Sequence, residues 1–398
     1  MDKHLSLFVE INGKNYIFVV GLYDENQNFE IVEKIVTPCD GISNNKFVDI
    51  EAANEIVKNN IEIIENKLNH IFKDVIVVLG NFDCSCINIS GFKRLNGSQV
   101  LRENISYIIN SLKLAVNENE KQKSILHIFN SKSVLDGTKI ENLPIGLFGD
   151  FYSHELSFFL INNNSLKNIK KIFNKNNLNI KKFILKQFVE GSQLINNNKE
   201  FKNFFKIRID KDRSNVNFFE NDAFRYSESF DFGTNIIIKD IQKICNLKME
   251  EIVNFLSKNN LNKKDLNKND LIEKDYFFKN DFRKIRKKLI FDIIEARIED
   301  IVDFIFHKNI NIKHFKKDST KVYLTIADFQ TFKSFEKNFK SFFLRNDKYD
   351  IFLIDDLSTE ETITNVSNLD MYGWKTEAVP IVQAKNSLIT RIFKSLFG

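Results

Sequence analysis

The hydrophobic pattern at the start of the chain predicts a strand meander. Apolar runs at residues 5–9 and 15–22 flank the turn residues Asn12-Gly13-Lys14, a combination that is typical of a hairpin. Residues 29–36 alternate between apolar and polar positions and form a third predicted strand. The first elements are therefore expected to lie side by side in one sheet.

A long amphipathic helix follows these strands. Residues 49–72 place apolar side chains at spacings of three and four, which is the period of one helix face. These side chains are Val57, Ile61, Ile64, Leu68, Ile71 and Phe72. The uninterrupted apolar run 75–79 then predicts a buried central strand. The order of strands, helix and strand predicts an α/β layered domain.

Residues 81–156 read as an insert in this domain. The pattern predicts short strands at 85–89 and 124–129, a helix at 101–115 and a loop around Pro144 and Gly146. Strand character returns at 157–161, followed by a basic amphipathic helix at 164–175 and a strand at 182–188.

The second half of the chain repeats the order of the first. Predicted strands at 204–209 and 215–220 flank a polar turn at 210–214 and resemble the first hairpin. Further predicted helices cover 235–245, 248–256, 282–306 and 329–343, further strands cover 321–326 and 351–354, and the last strands are expected around 362–379. The pattern predicts a duplicated α/β architecture.

The C-terminal residues form a separate amphipathic pattern. On a helix beginning near Asn386, one side is a continuous apolar stripe of Leu388, Ile389, Ile392, Phe393, Leu396 and Phe397. The basic residues Arg391 and Lys394 lie on the opposite side. The helix is too short to cross a bilayer, and its pattern suits either the interface of an anionic membrane or a last core helix. The preceding stretch from Lys375 to Lys385 carries Pro380 and no clear period, so a tether to a membrane helix is favoured.

Composition narrows the class of protein. A chain of 398 residues with 43% hydrophobic and 28% charged residues is expected to fold into two or more soluble domains. The 58 basic and 53 acidic residues nearly cancel, which argues against a nucleic-acid partner. Four cysteines predict a reducing compartment, and Cys84-Ser-Cys86 is not a convincing zinc motif, so no metal is expected. With no secretory signal in the sequence, a cytoplasmic location is expected.

Three ordered segments carry a resemblance to a known family. They are Lys46-Phe-Val-Asp-Ile-Glu-Ala, Asp231-Phe-Gly-Thr-Asn-Ile-Ile-Ile-Lys-Asp-Ile and Ile294-Glu-Ala-Arg-Ile-Glu-Asp-Ile. Together with the insert and the tail, they resemble the bacterial cell-division protein FtsA of the actin-like ATPase superfamily. The resemblance covers nearly the whole body in order, although no single motif decides it.

The resemblance implies a fold and a set of subdomains. The fold would be a duplicated actin-like (ribonuclease H-like) α/β fold, with two halves around a cleft, an FtsA-type insert and a C-terminal amphipathic helix. The subdomains would be a first core at 1–80 with 157–203, an insert at 81–156, a second core at 204–236 with 313–372, a peptide-binding subdomain at 237–312, a linker at 373–385 and the tail at 386–398.

The resemblance also implies partners and a role. An FtsA-like adaptor would bind the C-terminal peptide of FtsZ, assemble with itself into actin-like protofilaments and hold the division ring on the cytoplasmic face of the inner membrane. Arg283, Arg286 and Lys287 would meet an acidic or carboxylate-ended peptide through charge-assisted hydrogen bonds. A solvated basic helix face is an equally good interpretation of these three residues.

The nucleotide-binding turns depart from the family pattern. Such turns use glycine because backbone N–H groups must approach phosphate oxygens without an intervening Cβ. The first turn aligns with Glu10-Ile-Asn-Gly-Lys-Asn, the second with Arg208-Ile-Asp-Lys-Asp-Arg-Ser-Asn, and the adenosine turn with Thr325-Ile-Ala-Asp-Phe. The second and third turns have no glycine, and Arg208 replaces an aspartate.

These departures predict weakened or lost nucleotide binding and no ATP hydrolysis, with Arg208, Lys211 or Arg213 filling the phosphate site internally. The degenerate nucleotide-site positions are Glu10, Asn12, Gly13, Lys14, Arg208, Asp210, Asp212, Ser214, Gly233, Thr325 and Ala327. No catalytic residue is assigned, and ATP with Mg²⁺ stays open as a cofactor.

Two other functions stay open on the sequence. One is an active ATPase with diverged turns, and the other is a pilus-assembly relative of FtsA that binds a peptide of a membrane protein. The amphipathic pattern of the tail argues against the pilus-assembly relative.

Overall fold

The structure is a computed structural model that describes residues 5–24, 28–43, 46–198, 203–259, 261, 270–277, 282–317, 320–345 and 349–378. The strands are β1 (Ser6–Ile11), β2 (Asn15–Tyr23), β3 (Phe29–Pro38), β4 (Ile42–Ser43), β5 (Lys46–Phe47), β6 (Asp74–Leu79), β7 (Cys84–Arg94), β8 (Lys123–Leu135), β9 (Thr138–Ile140), β10 (Phe151–Asn162), β11 (Asn179–Leu185), β12 (Asn203–Ile209), β13 (Ser214–Glu220), β14 (Ala223–Phe230), β15 (Lys321–Ile326) and β16 (Asp350–Leu353). The helices are α1 (Ile50–Leu68), α2 (Arg102–Asn119), α3 (Asn163–Lys175), α4 (Lys186–Asn197), α5 (Asn235–Cys245), α6 (Met249–Lys258), α7 (Lys287–Val302), α8 (Phe329–Phe332), α9 (Glu336–Phe343) and α10 (Thr359–Tyr372).

Two five-stranded sheets repeat one topology. The first has the order β3-β2-β1-β6-β11, and the second has the order β14-β13-β12-β15-β16. In each sheet, three strands that are consecutive in the chain form a meander. The first strand of the meander is also paired with a parallel strand on its other side, since β1 is parallel to β6 and β12 is parallel to β15. The predicted duplicated α/β architecture is therefore confirmed.

The chain divides into two compact units. Unit 1 contains the described residues of 1–202, 219–226 and 357–398, and unit 2 contains those of 203–218 and 227–356. Unit 1 thus includes the tip of the β13–β14 hairpin and the last described helix, α10. The finer subdomain limits expected from the family resemblance stay predictions.

A third sheet corresponds to the predicted insert. Its four strands are antiparallel in the order β7-β10-β8-β9, and α2 packs against it. The strand predicted at 157–161 is the second half of a longer strand, because β10 runs without a break from Phe151 to Asn162. The insert boundary expected at residue 156 therefore falls inside a strand.

The first long helix follows its sequence signals closely. Asp49 caps α1 by accepting hydrogen bonds from the backbone N–H groups of Glu51 and Ala52, at 2.9 and 3.0 Å. Asn69 ends the helix in the left-handed conformation with φ 48°. Because the helix stops there, Ile71 does not continue the buried stripe and is 77% exposed.

Two helices were not predicted. Residues 182–188 were predicted as one strand, but β11 ends at Leu185 and α4 begins at the next residue. The stretch 362–379 was expected to form strands, yet α10 occupies most of it. The side chains of Ser358 and Glu361 form a capping box at the start of α10, a signal that the sequence did contain.

The predicted helices 282–306 and 329–343 also have different limits. The helix α7 begins at Lys287, so Arg283 and Arg286 precede it, and residues Asp303–His307 continue it as a π-helical turn. The second prediction divides into α8, a 3₁₀ turn at Lys333–Phe335 and α9.

A cluster of buried aromatic rings occupies the centre of unit 1. It joins Phe129 of β8, Phe159 of β10, Phe188 of α4, and Phe219 and Phe224 of the β13–β14 hairpin tip. The rings of Phe159 and Phe224 stack with their centroids 4.0 Å apart. This cluster, here called the aromatic centre, ties together four separate parts of the chain.

The residues after α10 are anchored on the insert. Asn130 N–H donates to the carbonyl oxygen of Thr376, and Ala378 N–H donates to that of Ile128, both at 2.7 Å. Residues 374–378, here called the docked segment, therefore pair with β8 through a short antiparallel bridge. These five residues belong to the stretch expected to act as a linker, and residues 379–385 of that stretch lie outside the described part.

A hydrogen bond between a buried histidine and the Glu377 carboxylate holds the docked segment. His127 Nε2 accepts a hydrogen bond from Leu185 N–H, so its Nδ1 carries the proton and donates to Glu377 Oε1 at 2.6 Å. Burial by itself would raise the pKa of Glu377. His127 and Lys182 outweigh that effect and hold the pKa at about 2.

We predict that Glu377→Gln releases the docked segment. The folded pKa of about 2 lies below the ordinary value of 4.5, so Glu377 contributes roughly 3 kcal/mol above pH 4.5, and this is lost as pH falls toward 2. Hydrogen exchange at the amides of Asn130 and Ala378 measures the docking. Exchange should accelerate strongly in Glu377→Gln at neutral pH.

The matched control is Lys375→Gln, because the side chain of Lys375 is 70% exposed and its ion pair with Asp222 is screened by water. Its amide exchange should stay at the wild-type rate. Equal exchange in the wild type and in Glu377→Gln would contradict a holding role for the Glu377 carboxylate.

Candidate functional site

The first predicted phosphate turn is a tight, self-bonded turn in unit 1. Asn12 Oδ1 accepts hydrogen bonds from the backbone N–H groups of Lys14 and Asn15, at 3.1 and 2.9 Å. Gly13 has φ +78°, a left-handed conformation that glycine adopts without strain. The Asn-Gly pair therefore forms the turn as predicted, and two of its amides bond to the Asn12 side chain.

The carboxylate of Glu10 is buried beside this turn. Glu10 Oε1 accepts hydrogen bonds from Lys186 Nζ at 2.7 Å and from Asn12 Nδ2 at 3.0 Å. Its Oε2 atom is buried and has no hydrogen-bond partner among the described residues. The carboxylate that the sequence placed at the phosphate turn is therefore held by a lysine of its own unit.

Lys186 was not identified from the sequence. It is the first residue of α4, the helix that was predicted as a continuing strand, and its side chain is 24% exposed. Since β11 is parallel to β6 and β6 to β1, the end of β11 and the end of β1 lie on the same edge of the sheet. Recognising the strand-to-helix change at residue 186 would have placed the lysine near Glu10.

The second predicted phosphate turn, in unit 2, is closed by backbone hydrogen bonds. Asp210 N–H donates to the carbonyl oxygen of Arg213 at 2.8 Å, and Lys211 N–H donates to Asp210 Oδ1 at 2.8 Å. The amides of Thr234 and Asn235, at the start of α5, donate to the carbonyl oxygens of Asp210 and Lys211. All four N–H groups are therefore bonded within the protein.

Gly233 is required for this arrangement. A Cβ at this position would collide with the carbonyl oxygen of Asp210, so only glycine lets the start of α5 approach the turn so closely. Asn235 Nδ2 reinforces the contact by donating to Asp212 Oδ1 at 2.7 Å. The glycine that the sequence assigned to a nucleotide site instead packs against the turn itself.

Charged side chains gather at the carboxyl ends of the parallel strands β12, β15 and β16. Arg208 Nη2 lies 3.4 Å from Asp210 Oδ2, and Arg208 Nη1 is ion-paired with Asp356. Asp328 is buried and accepts from Thr331 Oγ1 at 2.9 Å and from Thr234 Oγ1 at 3.2 Å. Lys211 Nζ lies 3.6 Å from Asp328 Oδ1. Cations and carboxylates are paired within this edge of unit 2.

The remaining predicted positions of unit 2 lie beside the same edge. Ser214 is buried and donates from Oγ to the carbonyl oxygen of Phe232 at 2.9 Å. Thr325 faces Arg208 in the β12–β15 register, and Ala327 N–H donates to the carbonyl oxygen of Ile209 at 2.9 Å. Burial lowers the pKa of Arg213, although the charge of Asp231 opposes this shift. The structure thus brings the predicted unit 2 positions together.

The second turn does not fit a nucleotide phosphate chain. A phosphate cradle needs free N–H groups and net positive charge, whereas the N–H groups of Asp210 and Lys211 are engaged and Arg208 is paired with carboxylates. Among the described residues, no group of three or more His, Cys, Asp and Glu side chains is placed to hold a metal ion.

The three predicted partner-binding cations lie at and before the start of α7. Arg283 Nη1 donates to the carbonyl oxygen of Asn246 at 2.9 Å, and Arg286 is exposed at the N-cap position. Lys287 is ion-paired with Glu273, and its hydrogen bond lowers the pKa of that carboxyl group. Arg283 and Arg286 keep exposed guanidinium groups, while the ammonium group of Lys287 is already paired.

The predicted membrane residues of the tail lie outside the described residues. Of the helices that the structure describes, none combines the length and the apolar character needed to cross a bilayer.

Comparisons with known proteins place this geometry in a known fold. No protein-family model and no curated protein sequence matches the chain. Among solved structures, a chain of the PilM-PilN type IV pilus biogenesis complex is similar over 92% of this chain and 98% of its own, with a TM-score of 0.54 and 9% sequence identity. The chain has an actin-like fold.

Two more distant actin-like structures are similar over most of their length. The ethanolamine utilization protein EutJ from Carboxydothermus hydrogenoformans has a TM-score of 0.43 at 10% identity, with 88% of this chain and 85% of that chain covered. MreB5 of Spiroplasma citri bound to ADP has a TM-score of 0.43 at 11% identity, with 93% and 97% covered.

We predict that Lys186→Met destabilises the protein by about 3 kcal/mol, because it leaves the buried Glu10 carboxylate without its counter-charge. The double variant Glu10→Gln/Lys186→Met should recover most of this loss, since it removes both charges together. Urea unfolding measures both free energies.

The matched control for this prediction is Lys181→Met. Lys181 pairs with Asp370, but its side chain is 56% exposed, so less than about 1 kcal/mol should be lost. A double variant as unstable as Lys186→Met would show that the lost charge pairing is not the cause.

Proposed function

We propose that this chain is an actin-like adaptor that recruits a partner protein to a membrane and does not hydrolyse ATP. The observation that carries the proposal is the closed second turn of unit 2. The amides of Asp210 and Lys211 bond to the protein's own oxygens, and Arg208 is paired with Asp210 and Asp356. An actin-like fold without a phosphate-binding turn still presents surfaces to partner proteins, which is what an adaptor requires.

The buried pair of Glu10 and Lys186 supports the same proposal in unit 1. In an ATPase a carboxylate at this turn would organise Mg²⁺, but this one accepts hydrogen bonds from a lysine and an asparagine. A third charge brought next to a buried ion pair must compete with that pair. On this proposal the chain is a pseudo-ATPase whose folded state does not depend on nucleotide.

The finer proposal is an FtsA-like role in cell division. The partner would be the C-terminal peptide of FtsZ, met by the exposed guanidinium groups of Arg283 and Arg286. The chain would hold FtsZ filaments on the cytoplasmic face of the inner membrane and could assemble with itself into protofilaments. The ordered sequence motifs and the pattern of the tail support this choice.

The membrane contact would come from the tail. Its apolar stripe would lie in the lipid interface, with Arg391 and Lys394 near anionic headgroups. The docked segment would fix the chain on unit 1 shortly before the tail, because residues 374–378 are hydrogen-bonded to β8 and the tail begins a few residues later.

A second candidate is a pilus-assembly adaptor. The similar structure with a TM-score of 0.54 comes from a complex of PilM with PilN, so a PilN-like partner segment is a reasonable ligand for this chain as well. This candidate shares the absence of ATP hydrolysis and differs in the partner.

We predict that the full chain neither binds nor hydrolyses Mg-ATP. Calorimetric titration to millimolar nucleotide should give only the heat of dilution, and the melting temperature should not change, because a ligand that binds only the folded state must raise it. Titration into matched buffer is the control. Saturable heat or a nucleotide-dependent rise in melting temperature would return the active ATPase to favour.

We predict that the full chain carries FtsZ filaments to anionic phospholipid vesicles in a sedimentation assay. Phe393→Asp should abolish sedimentation, because it places a charge in the apolar stripe of the tail. Thr390→Asp is the matched control, since it adds the same charge on the polar side and should reduce binding only weakly.

Two outcomes would change the proposal. If the chain sediments with vesicles but FtsZ filaments do not sediment with it, the pilus-assembly candidate is favoured, and a PilN-like peptide would then test it. Equal vesicle binding by wild type and Phe393→Asp would contradict a membrane-bound tail.

A further inference from the structure

A cavity lined by cations lies at the end of α7 in unit 2 and shares no lining residue with the turn at 210–214. Its volume is about 410 Å³, a size that accommodates a small molecule. Its lining includes His307, Lys308, Ile310, Lys313, Lys316 and Tyr349. None of the described residues that line it is acidic.

Lys316 is the most buried of these cations. Its ammonium group donates to the carbonyl oxygens of Phe306 and His307, which end the helical segment, and lies 4.6 Å from the centroid of the Phe306 ring. No carboxylate of the described residues forms an ion pair with it. Burial therefore lowers the pKa of Lys316 to about 8. An ammonium group has three N–H donors, and the two carbonyls account for two of them.

The other charged groups around the cavity are placed as follows. Lys308 Nζ lies 2.7 Å from Asp303 Oδ2, and Lys313 is exposed, with no ion pair to a described carboxylate. His307 Nε2 donates to the carbonyl oxygen of Phe342 at 2.8 Å. Glu228 accepts a hydrogen bond at 2.7 Å from Nδ2 of Asn309, which also lines the cavity.

Helix capping does not account for all of these cations. The C-terminus of a helix carries about half a negative charge, and lysines there are favourable for that reason alone. Asp303 adds one negative charge beside Lys308. Glu228 adds another negative charge beside Asn309, and the opposite charges of Asp300 and Arg345 near Lys308 offset each other. The three lysines of the lining still carry more positive charge than the helix end, Asp303 and Glu228 together carry negative charge.

We propose that this cavity binds a small, multiply charged anion, with a phosphate or phosphate ester as the expected class. Lysine acts as a point charge toward phosphate, whereas a carboxylate is typically met by the planar fork of arginine, and no arginine lines the cavity. Three separate ammonium groups match an anion that carries more than one charge. Tyr349 and Ile310 leave room for an uncharged or apolar body of the ligand.

The test uses the full chain and inorganic phosphate as the probe. At constant ionic strength, phosphate should raise the melting temperature relative to chloride, because it binds only the folded state. With unmodified lysines labelled with ¹³C at Cε, phosphate should also raise the NMR-measured pKa of Lys316 from its low value. Citrate at the same ionic strength tests whether any multivalent anion suffices.

The variants separate this site from general charge effects. Lys313→Gln and Lys316→Gln should each weaken phosphate binding roughly tenfold, as expected for one lost charge-assisted hydrogen bond. Lys313 is exposed, so its variant keeps the test decisive even if Lys316→Gln loses stability. Lys337→Gln, an equal charge change on the exposed side of α9, should bind like the wild type.

Three outcomes would overturn the proposal. They are equal melting temperatures in phosphate and chloride, an unchanged pKa of Lys316, or equal phosphate binding by Lys313→Gln and the wild type. A preference for citrate over phosphate would overturn the expected ligand class. None of these results depends on whether the chain binds FtsZ or a membrane.

Discussion

The aromatic centre is the contact on which unit 1 depends. Phe129, Phe159, Phe188, Phe219 and Phe224 come from the insert sheet, α4 and the β13–β14 hairpin, and all five are essentially inaccessible to solvent. Gly191 makes this packing possible, because a Cβ on this residue of α4 would collide with the ring of Phe219. Large buried rings contribute several kcal/mol each, so elements far apart in sequence are fixed by one cluster.

The closed turns follow from a simple constraint on backbone groups. Buried N–H groups must be bonded, and a nucleotide-binding turn leaves several of its N–H groups for the phosphates. In this chain Thr234 and Asn235 donate to the carbonyl oxygens of the second turn, and Asp210 accepts from Lys211. The amides of Asp210 and Lys211 therefore need no ligand, and glycine is not required at these two positions.

The topology was easier to predict from the sequence than the ion pairs were. Periodicity and turn residues placed the strands around Asn12-Gly13 and the helix α5, because those signals are local. The helices α4 and α10 were missed, since the apolar run of β11 continues into Phe188 and the capping box at Ser358 was overlooked. The Glu10–Lys186 pair joins residues 176 positions apart, and only the order of parallel strands brings them together.

The docked segment fixes the end of the described chain to two parts of unit 1. Trp374 Nε1 and Thr376 Oγ1 both donate to the carbonyl oxygen of Asp222, on the hairpin tip that supplies Phe219 and Phe224 to the aromatic centre. Force applied to the chain beyond residue 378 would therefore act first on hydrogen bonds to β8 and to this hairpin. In an adaptor that links a filament to a membrane, such bonds transmit load into the core of unit 1, whereas an unanchored linker would only extend.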